Sequence, residues 1–278
     1  MNNKGQIIIT DILLYLIILL VIFSIVIYAT VTLNDNQVTR INNKQLNNLL
    51  EDSISALTKT SGTPNNWEEL NVNKVDTVGL KSPKNQLLSY DKLIKLKNNP
   101  YLLDKYFPTG IDYSLTMYSK SNPNNEVLIA GKSNFNNKKQ IQSKSTVVLF
   151  DYAFDITSFK KENMTVYCPY NHSEQWICKT INVNDESLSS GKYYIISDSD
   201  VKYIISNTYS ENITGQTRKT CINNQLEQLM RNQNQTIFLH ILTNNNNTYL
   251  VYDTDNKEEF LDEVIKPKVY VLNMKIAT

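Results

Sequence analysis

The sequence predicts an α+β protein in which a long N-terminal helix precedes a β-rich, mainly antiparallel domain. Two patterns support this fold class. An apolar run without a charged residue extends from Ile12 to Leu33, and from Ile111 onward apolar and polar residues alternate. The 278 residues include only 7 Gly and 7 Pro, and 41% of them are hydrophobic, which argues against a collagen-like or disordered chain.

The charge balance and the few metal-binding residue types exclude several classes of function. The chain carries 28 Lys and Arg against 27 Asp and Glu, so its net charge is +1. Nucleic-acid binding depends on clustered basic residues, so we expect no nucleic-acid partner. Three Cys and two His are too few for a disulfide scaffold or a module with several zinc ions. We expect no cofactor.

The apolar run predicts a membrane-spanning helix, placed at residues 6–33, whose partner is the lipid bilayer. A helix needs about 20 residues to cross the hydrocarbon core, and a helix satisfies its own backbone groups there. The alternatives are a buried helix of a soluble core and a cleaved secretory signal. A signal has a shorter apolar region and a small-residue cleavage site. The C-terminal end of the apolar run, at Ile27–Thr30, contains no such cleavage site. This favours an anchor that is retained in the mature chain.

An amphipathic helix is predicted after the anchor, at residues 34–62. Its apolar residues recur mostly at steps of three and four: Val38, Ile41, Leu46, Leu49, Leu50, Ile54 and Leu57. Gly62 and Pro64 end the pattern. No Gly or Pro lies between Ile7 and Ser61. The two helices therefore form either one rod of about 80 Å or two helices that break at Asn34–Asn36.

The start of the chain resembles archaeal type IV pilin-like proteins with class III signal peptides. The resemblance rests on Lys4-Gly5-Gln6, on Asp11 within the next six residues, and on the pure Leu/Ile/Val helix that follows. It implies a leader at residues 1–5, a prepilin peptidase that cuts the Gly5–Gln6 bond, and other pilin-like subunits as partners. It further implies a long helix shared between lipid and domain, a cytoplasmic N-terminus and an extracellular C-terminal domain.

Asp11 is the candidate intramembrane charge. If the chain is cut after Gly5, Gln6 carries a new α-ammonium, and the Asp11 carboxylate of a neighbouring subunit can neutralise it inside a helical bundle, where opposite charges attract strongly. The alternative is that Asp11 lies at the level of the lipid headgroups and is hydrated.

The remaining sequence predicts turns, short helices and many strands. Residues 63–135 are assigned a helix/turn segment, with a short helix that opens at Ser89, and a first β-hairpin whose turn is at 121–125. Residues 136–278 are assigned a β-rich domain, with the boundary within 131–142. Strands are predicted at 111–117, 126–130, 146–155, 165–168, 175–183, 192–197, 201–206, 236–243, 248–253 and 268–276, and helices at 223–231 and 258–264.

Five sequons mark candidate N-glycosylation sites, at Asn163, Asn171, Asn212, Asn234 and Asn246. Chance alone predicts about as many in a chain so rich in Asn, Ser and Thr, so the sequons are weak evidence for an extracellular face.

The cysteines and histidines allow several interpretations. Cys168 and Cys178 flank a short loop and are a candidate disulfide, although two thiols, or a metal site with His172, also fit the spacing. A fourth ligand is missing, and no metal site is assigned. Cys221 has no assigned role. His240 lies in a strand-like run and is predicted to face out of a sheet.

The sequence carries no Gly-x-Ser-x-Gly motif, phosphate loop or carboxylate pair that predicts a reaction, and no catalytic residue is assigned. The preferred interpretation is a pilin-like, membrane-anchored structural or adhesive surface protein without catalysis. The alternative is a single-pass anchor that displays an extracellular binding or sensor module. A membrane-anchored hydrolase is the third interpretation.

Overall fold

The computed structural model of the protein describes residues 3–136, 138, 140–160, 168, 170, 175–242 and 247–278. In the first helix it describes the side chains of residues 14–32 and 43–59. The fold is α+β, as predicted: an apolar N-terminal helix precedes a β-rich, mostly antiparallel part with a curled sheet.

The helices are α1 (Asn3–Lys59), α2 (Tyr90–Asn98), α3 (Asp185–Ser190), α4 (Asn223–Leu229) and α5 (Asp262–Ile265), with 3₁₀ turns at Trp67–Glu69, Val72–Lys74, Pro100–Tyr106 and Glu258–Phe260. The strands are β1 (Gly62–Thr63), β2 (Thr77–Val78), β3 (Leu88–Ser89), β4 (Asp112–Ser119), β5 (Asn122–Gly131), β6 (Ile141–Val148), β7 (Phe150–Asp151), β8 (Asp155–Ser158), β9 (Trp176–Asn184), β10 (Lys192–Asn207), β11 (Asn212–Cys221), β12 (Asn234–Leu242), β13 (Thr248–Asp253) and β14 (Tyr270–Ala277).

Helix α1 is one continuous helix of 57 residues, so the predicted alternative of a break at Asn34–Asn36 is wrong. Asn and Asp cost only about 0.5 kcal/mol each in helix propensity, and the good helix formers on both sides offset that cost. The helix ends at Lys59, and Gly62 then adopts a positive φ of 80°, the conformation that glycine supplies after helices. The helix therefore ends three residues before the predicted boundary at residue 62.

The first sheet has four antiparallel strands in the order β5-β4-β14-β6. Strand β14 lies in its centre, where Leu272 pairs with Met117 of β4 on one side and with Thr146 of β6 on the other. The predicted division at residues 135/136 therefore does not separate two sheets, because β4 and β5 from before it and β6 and β14 from after it form this one sheet. The polar segment at 131–142 connects β5 to β6 across the same sheet.

The second sheet is larger and is organised around β10. Its strand order is β8-β13-β10-β12-β9, and β11 pairs with the other edge of β10. A shift of register between Ile196 and Val201 bends β10, so that its first half pairs with β13 and its second half with β12. The predicted strands at 192–197 and 201–206 are therefore one bent strand, and the curl of this sheet follows from the bend.

The buried apolar residues form separate cores on the two sheets. The first core contains α1, the Trp67–Leu103 segment and the first sheet, and includes Trp67, whose indole Nε1 donates to the Gly79 carbonyl at 2.9 Å. The second core lies between the larger sheet and helix α4, with Ile195, Ile205 and Leu239 fully buried. The N-terminal helix is therefore a part of the first core.

Several local predictions differ from the structure. The predicted turn at 121–125 is shorter, because Asn122 already belongs to β5. Strand β11 and helix α3 were not predicted, since neither has an apolar periodicity. Ser89 does cap α2, its Oγ accepting from the Lys92 amide at 3.3 Å. The predicted strand at 165–168 lies outside the described residues except for Cys168.

Candidate functional site

The N-terminal part of α1 is a candidate membrane-spanning segment. Residues Leu14–Thr32 form a stretch of 19 residues with a mean hydropathy of 2.8, none of it covered by the rest of the chain. Phe23 is 57% exposed and Tyr28 is 75% exposed. At 1.5 Å per residue the stretch is about 28 Å long, which matches the ~30 Å hydrocarbon core of a bilayer. By length and composition, this helix can cross a membrane.

The Ser and Thr hydroxyl groups in this stretch are bonded within the helix. Ser24 Oγ donates to the Leu20 carbonyl at 2.9 Å, and Thr30 Oγ1 donates to the Val26 carbonyl at 2.7 Å. Thr32 Oγ1 makes the same kind of bond two residues later, to the Tyr28 carbonyl. An unsatisfied polar group in hydrocarbon costs several kcal/mol, and these bonds avoid that cost. The described polar side chains of the stretch are therefore compatible with lipid.

The C-terminal part of α1 is held in the first core. Four of its side chains are buried against the first sheet and the segment after the helix: Leu46, Leu50, Ile54 and Leu57. At the rim, Gln142 Nε2 donates to the Asn43 carbonyl at 3.0 Å, and Lys144 Nζ lies 2.6 Å from the Glu51 carboxylate. Lys144 lowers the pKa of that carboxyl. Helix α1 thus has an uncovered apolar surface in its N-terminal half and a buried face, packed on the first sheet, in its C-terminal half.

The residues assigned to processing and to the intramembrane charge lie in the first turns of α1. The backbone of Gly5, Gln6 and Asp11 is helical, and their side chains fall outside the described residues. The structure therefore places these three positions on one helix, directly ahead of the exposed apolar stretch.

A second candidate site lies on the larger sheet, where the structure brings together Cys168, Cys178 and His240. Cys178 on β9 and His240 on β12 are cross-strand partners. The Sγ atom of Cys178 lies 2.5 Å from Nδ1 of His240 and 2.9 Å from Sγ of Cys168, and Cys168 Sγ lies 3.8 Å from the same nitrogen. The two sulfur atoms are 2.9 Å apart, compared with about 2.05 Å in a disulfide bond, and the candidate disulfide stays a prediction.

His240 is buried, with 2% of its surface exposed, so the prediction that it faces out of the sheet is wrong. The reason is that Tyr170, from the segment before β9, covers this face of the sheet. Its ring lies edge-on to the imidazole at 5.2 Å, and its hydroxyl donates to the Asn207 carbonyl at 2.7 Å. The other imidazole nitrogen, Nε2, lies 2.9 Å from the hydroxyl of Ser206 on β10.

Burial and the adjacent thiol of Cys168 raise the pKa of the Cys178 thiol, because the site favours its neutral form. By itself this thiol is a poor nucleophile at neutral pH. Cys221 lies elsewhere, exposed at the end of β11, with its Sγ 3.8 Å from the Asn223 side chain. His172, which the sequence places close to Cys168, lies outside the described residues.

The sequence alone contains these cysteine and histidine residues, but it does not show that they lie close together in the fold. His240 is 62 positions from Cys178 along the chain, and only the antiparallel pairing of β9 with β12 makes them neighbours. No local spacing motif signals such a pairing.

The sequons fall into two groups. Asn212 opens β11 and Asn234 opens β12, and both side chains are exposed. Asn163, Asn171 and Asn246 lie outside the described residues. The two described sites are accessible to a modifying enzyme.

A surface cavity of about 750 Å³ lies between α2 and the segment before α5. Lys257 dominates its charge: Nζ lies 2.8 Å from the Asp91 carboxylate and 3.0 Å from that of Asp255, and it donates to the Tyr152 carbonyl. Burial lowers the pKa of Lys257, but the hydrogen bonds to the two carboxylates outweigh it and raise the pKa overall. These ion pairs connect α2 to the Asp255–Lys257 segment, which is a stabilising role.

Comparisons with known proteins leave the family of the chain open. No protein-family model matches the chain, and no curated protein and no solved structure is significantly similar to it.

Proposed function

We propose that the chain is a pilin-like, membrane-anchored surface protein with a structural or adhesive role and no catalytic activity. In this proposal its N-terminus is cytoplasmic and its two sheets lie outside the cell. The observation that supports it is helix α1, which is continuous, leaves 19 apolar residues uncovered and buries its other end in the first core. A half-lipid, half-domain helix is what the pilin resemblance implies.

The exposed stretch is too apolar to remain in water. Fourteen large apolar side chains between Leu14 and Val31 are at least half exposed. Removing one such side chain from water is worth about 1.5–3 kcal/mol, so the stretch as a whole favours an apolar environment by about 20 kcal/mol or more. Lipid supplies that environment, and the helices of neighbouring subunits supply it in an assembled filament.

The continuity of α1 also supports a mechanical role. Because the helix has no break, the membrane stretch and the first sheet are joined by a stiff rod. In an assembly, the mature N-terminus at Gln6 and the Asp11 carboxylate of a neighbour would form the charge pair described above. The sheets would then be displayed at a fixed height above the membrane.

Mass spectrometry of the N-terminal peptide, isolated from cells that produce the chain naturally, tests the proposal. We expect a mature chain that begins at Gln6 and stays in the membrane fraction after an alkaline wash. A Gly5→Val variant is the matched control, and it should keep the leader. A chain that retains residues 1–5 while Gly5 is intact would refute the pilin-like assignment and favour a single-pass anchor that displays a binding or sensor module.

The orientation has its own test, based on the exposed Cys221. A membrane-impermeant maleimide applied to intact cells should label the chain, and a Cys221→Ser variant should lose that label. Labelling of Cys221 that requires lysis would reverse the proposed orientation.

A further inference from the structure

We propose that Cys168, Cys178 and His240 bind one zinc ion, which fastens the chain segment before β9 to the face of the larger sheet. The ligand atoms are the two Sγ atoms and Nδ1 of the imidazole. All three lie within 4.8 Å of one another. This inference does not depend on the proposed function, since it concerns a different surface of the molecule.

The three atoms converge as ligands of one ion do. Zinc binds Cys sulfur at about 2.3 Å and His nitrogen at about 2.0–2.1 Å, and in a tetrahedral site such ligand atoms are about 3.5–3.8 Å apart. The distance of 3.8 Å between Cys168 Sγ and His240 Nδ1 already meets this requirement. The other two distances are 2.9 and 2.5 Å, so an ion would have to spread these pairs by about 1 Å.

The ligand types select the class of metal. Two thiols and one imidazole form a soft to borderline set, which suits zinc and disfavours Mg²⁺ and Ca²⁺, because those ions require oxygen ligands. The surroundings of the cluster are apolar and aromatic, with Tyr170 on one side of the imidazole. A site so enclosed is typical of structural rather than catalytic zinc.

The hydrogen bonds of His240 orient its ring for binding. Nε2 of His240 lies 2.9 Å from the Ser206 hydroxyl. In the tautomer in which this hydroxyl accepts from Nε2–H, Nδ1 carries the lone pair, and Nδ1 lies beside the two sulfur atoms. A polar partner that fixes the tautomer in this way accompanies most metal-binding histidines.

The β9–β12 ladder fixes the backbone positions of two of the ligands, so rotation of their side chains must provide the wider spacing that an ion needs. Cys178 and His240 are 1% and 2% exposed, and the β9–β12 ladder sets their separation. Cys168 belongs to the segment before β9 and is half-buried. Zinc would therefore add a bond between Cys168 and the two paired strands of the larger sheet.

A disulfide between Cys168 and Cys178 is the competing state. It uses both sulfur atoms and gives Nδ1 of His240 no ligand role. Forming it releases two protons and two electrons and so needs an oxidant, whereas binding zinc only displaces thiol protons. The two states are mutually exclusive, and one measurement on the protein distinguishes them.

The experiment measures zinc in the full-length, untagged chain, purified in detergent under reducing conditions. We expect one zinc per chain in the wild type and in the matched control Cys221→Ser, and none in Cys168→Ser or His240→Gln. Both site variants should keep the far-ultraviolet circular dichroism of the wild type. A chelator should lower the unfolding temperature of the wild type and leave that of Cys168→Ser unchanged.

Cobalt substitution in the wild type keeps the test decisive if a site variant fails to fold. A thiolate-to-cobalt charge-transfer absorption, removed by stoichiometric zinc, would support the assignment without any substitution. A wild-type chain that takes up neither metal, or that yields a Cys168–Cys178 disulfide peptide under non-reducing digestion of the native protein, would overturn it. Metal content that falls equally in Cys221→Ser would also overturn it, since Cys221 is not in the cluster.

Discussion

Replacing Leu50 by alanine tests whether α1 is an integral part of the first core. Leu50 is fully buried, with 0% of its surface exposed, in the part of α1 that packs on the first sheet. Removing a buried leucine side chain costs the lost transfer free energy plus the cavity left behind, about 3–5 kcal/mol at well-packed sites. For a folded part of this size, 1 kcal/mol corresponds to a shift of about 2–4 °C in the unfolding temperature.

The assay uses the two tryptophans, of which Trp67 lies in a 3₁₀ turn and Trp176 in the larger sheet. Trp67 is fully buried in the first core, and Trp176 begins β9 in the larger sheet. In a Trp176→Phe background, the fluorescence of Trp67 reports the unfolding of the first core alone. We expect Leu50→Ala to lower the midpoint temperature of this signal by about 6–20 °C.

Asn48→Ala is the matched control, because Asn48 is exposed on the same turn of α1. It should change the free energy of unfolding by no more than about 0.5 kcal/mol. If Leu50→Ala shifts the Trp67 transition no more than Asn48→Ala does, α1 is not part of the core, and the stiff connection between anchor and sheet is refuted.

Three further predictions concern buried polar groups and close packing. Lys92→Met should cost about 3–5 kcal/mol in chemical unfolding, because it removes the partner of Glu68 and a buried ammonium that donates to the Ser61 carbonyl at 2.7 Å and to two other carbonyls. A loss below about 1 kcal/mol would contradict this. Gly79→Ala should lower the unfolding temperature, since a Cβ atom would lie 2.3 Å from the Thr60 carbonyl oxygen. Burial raises the pKa of Tyr270 to about 12. The contribution of Tyr270 to the free energy of unfolding should therefore be constant up to about pH 10, where tyrosines of the unfolded chain ionise, and should fall from there towards pH 12. Tyrosinate absorbance during a pH titration measures this ionisation.

The helical part of the fold could be predicted from the sequence because its signals are local. The apolar run, the three- and four-residue steps from Leu46 to Leu57, and Gly62 after the last turn each report on neighbouring residues. The alternation from Ile111 to Met117 likewise predicted β4. Such patterns depend on which face of a single helix or strand is buried. The order of apolar and polar residues within that one helix or strand is enough to show this.

The long-range arrangement could not be predicted in the same way. Strand β11 is polar and half-exposed along its length, so it has no apolar alternation to detect. The place of β14 between β4 and β6 depends on pairing with residues more than 100 positions earlier. The cluster at Cys178 and His240 is a product of such pairing, which explains why the sequence pointed only to a local disulfide.

The position of β14 has a consequence for the larger sheet. Val148, the last residue of β6, and Tyr270, the first residue of β14, are cross-strand partners, so the polypeptide departs for the larger sheet and returns from it at points about 5 Å apart. The larger sheet is therefore an insertion between β6 and β14, two neighbouring strands of the first sheet. The length and surface of this insertion can change while the register of β6 and β14, and the packing of α1 on the first sheet, stay the same.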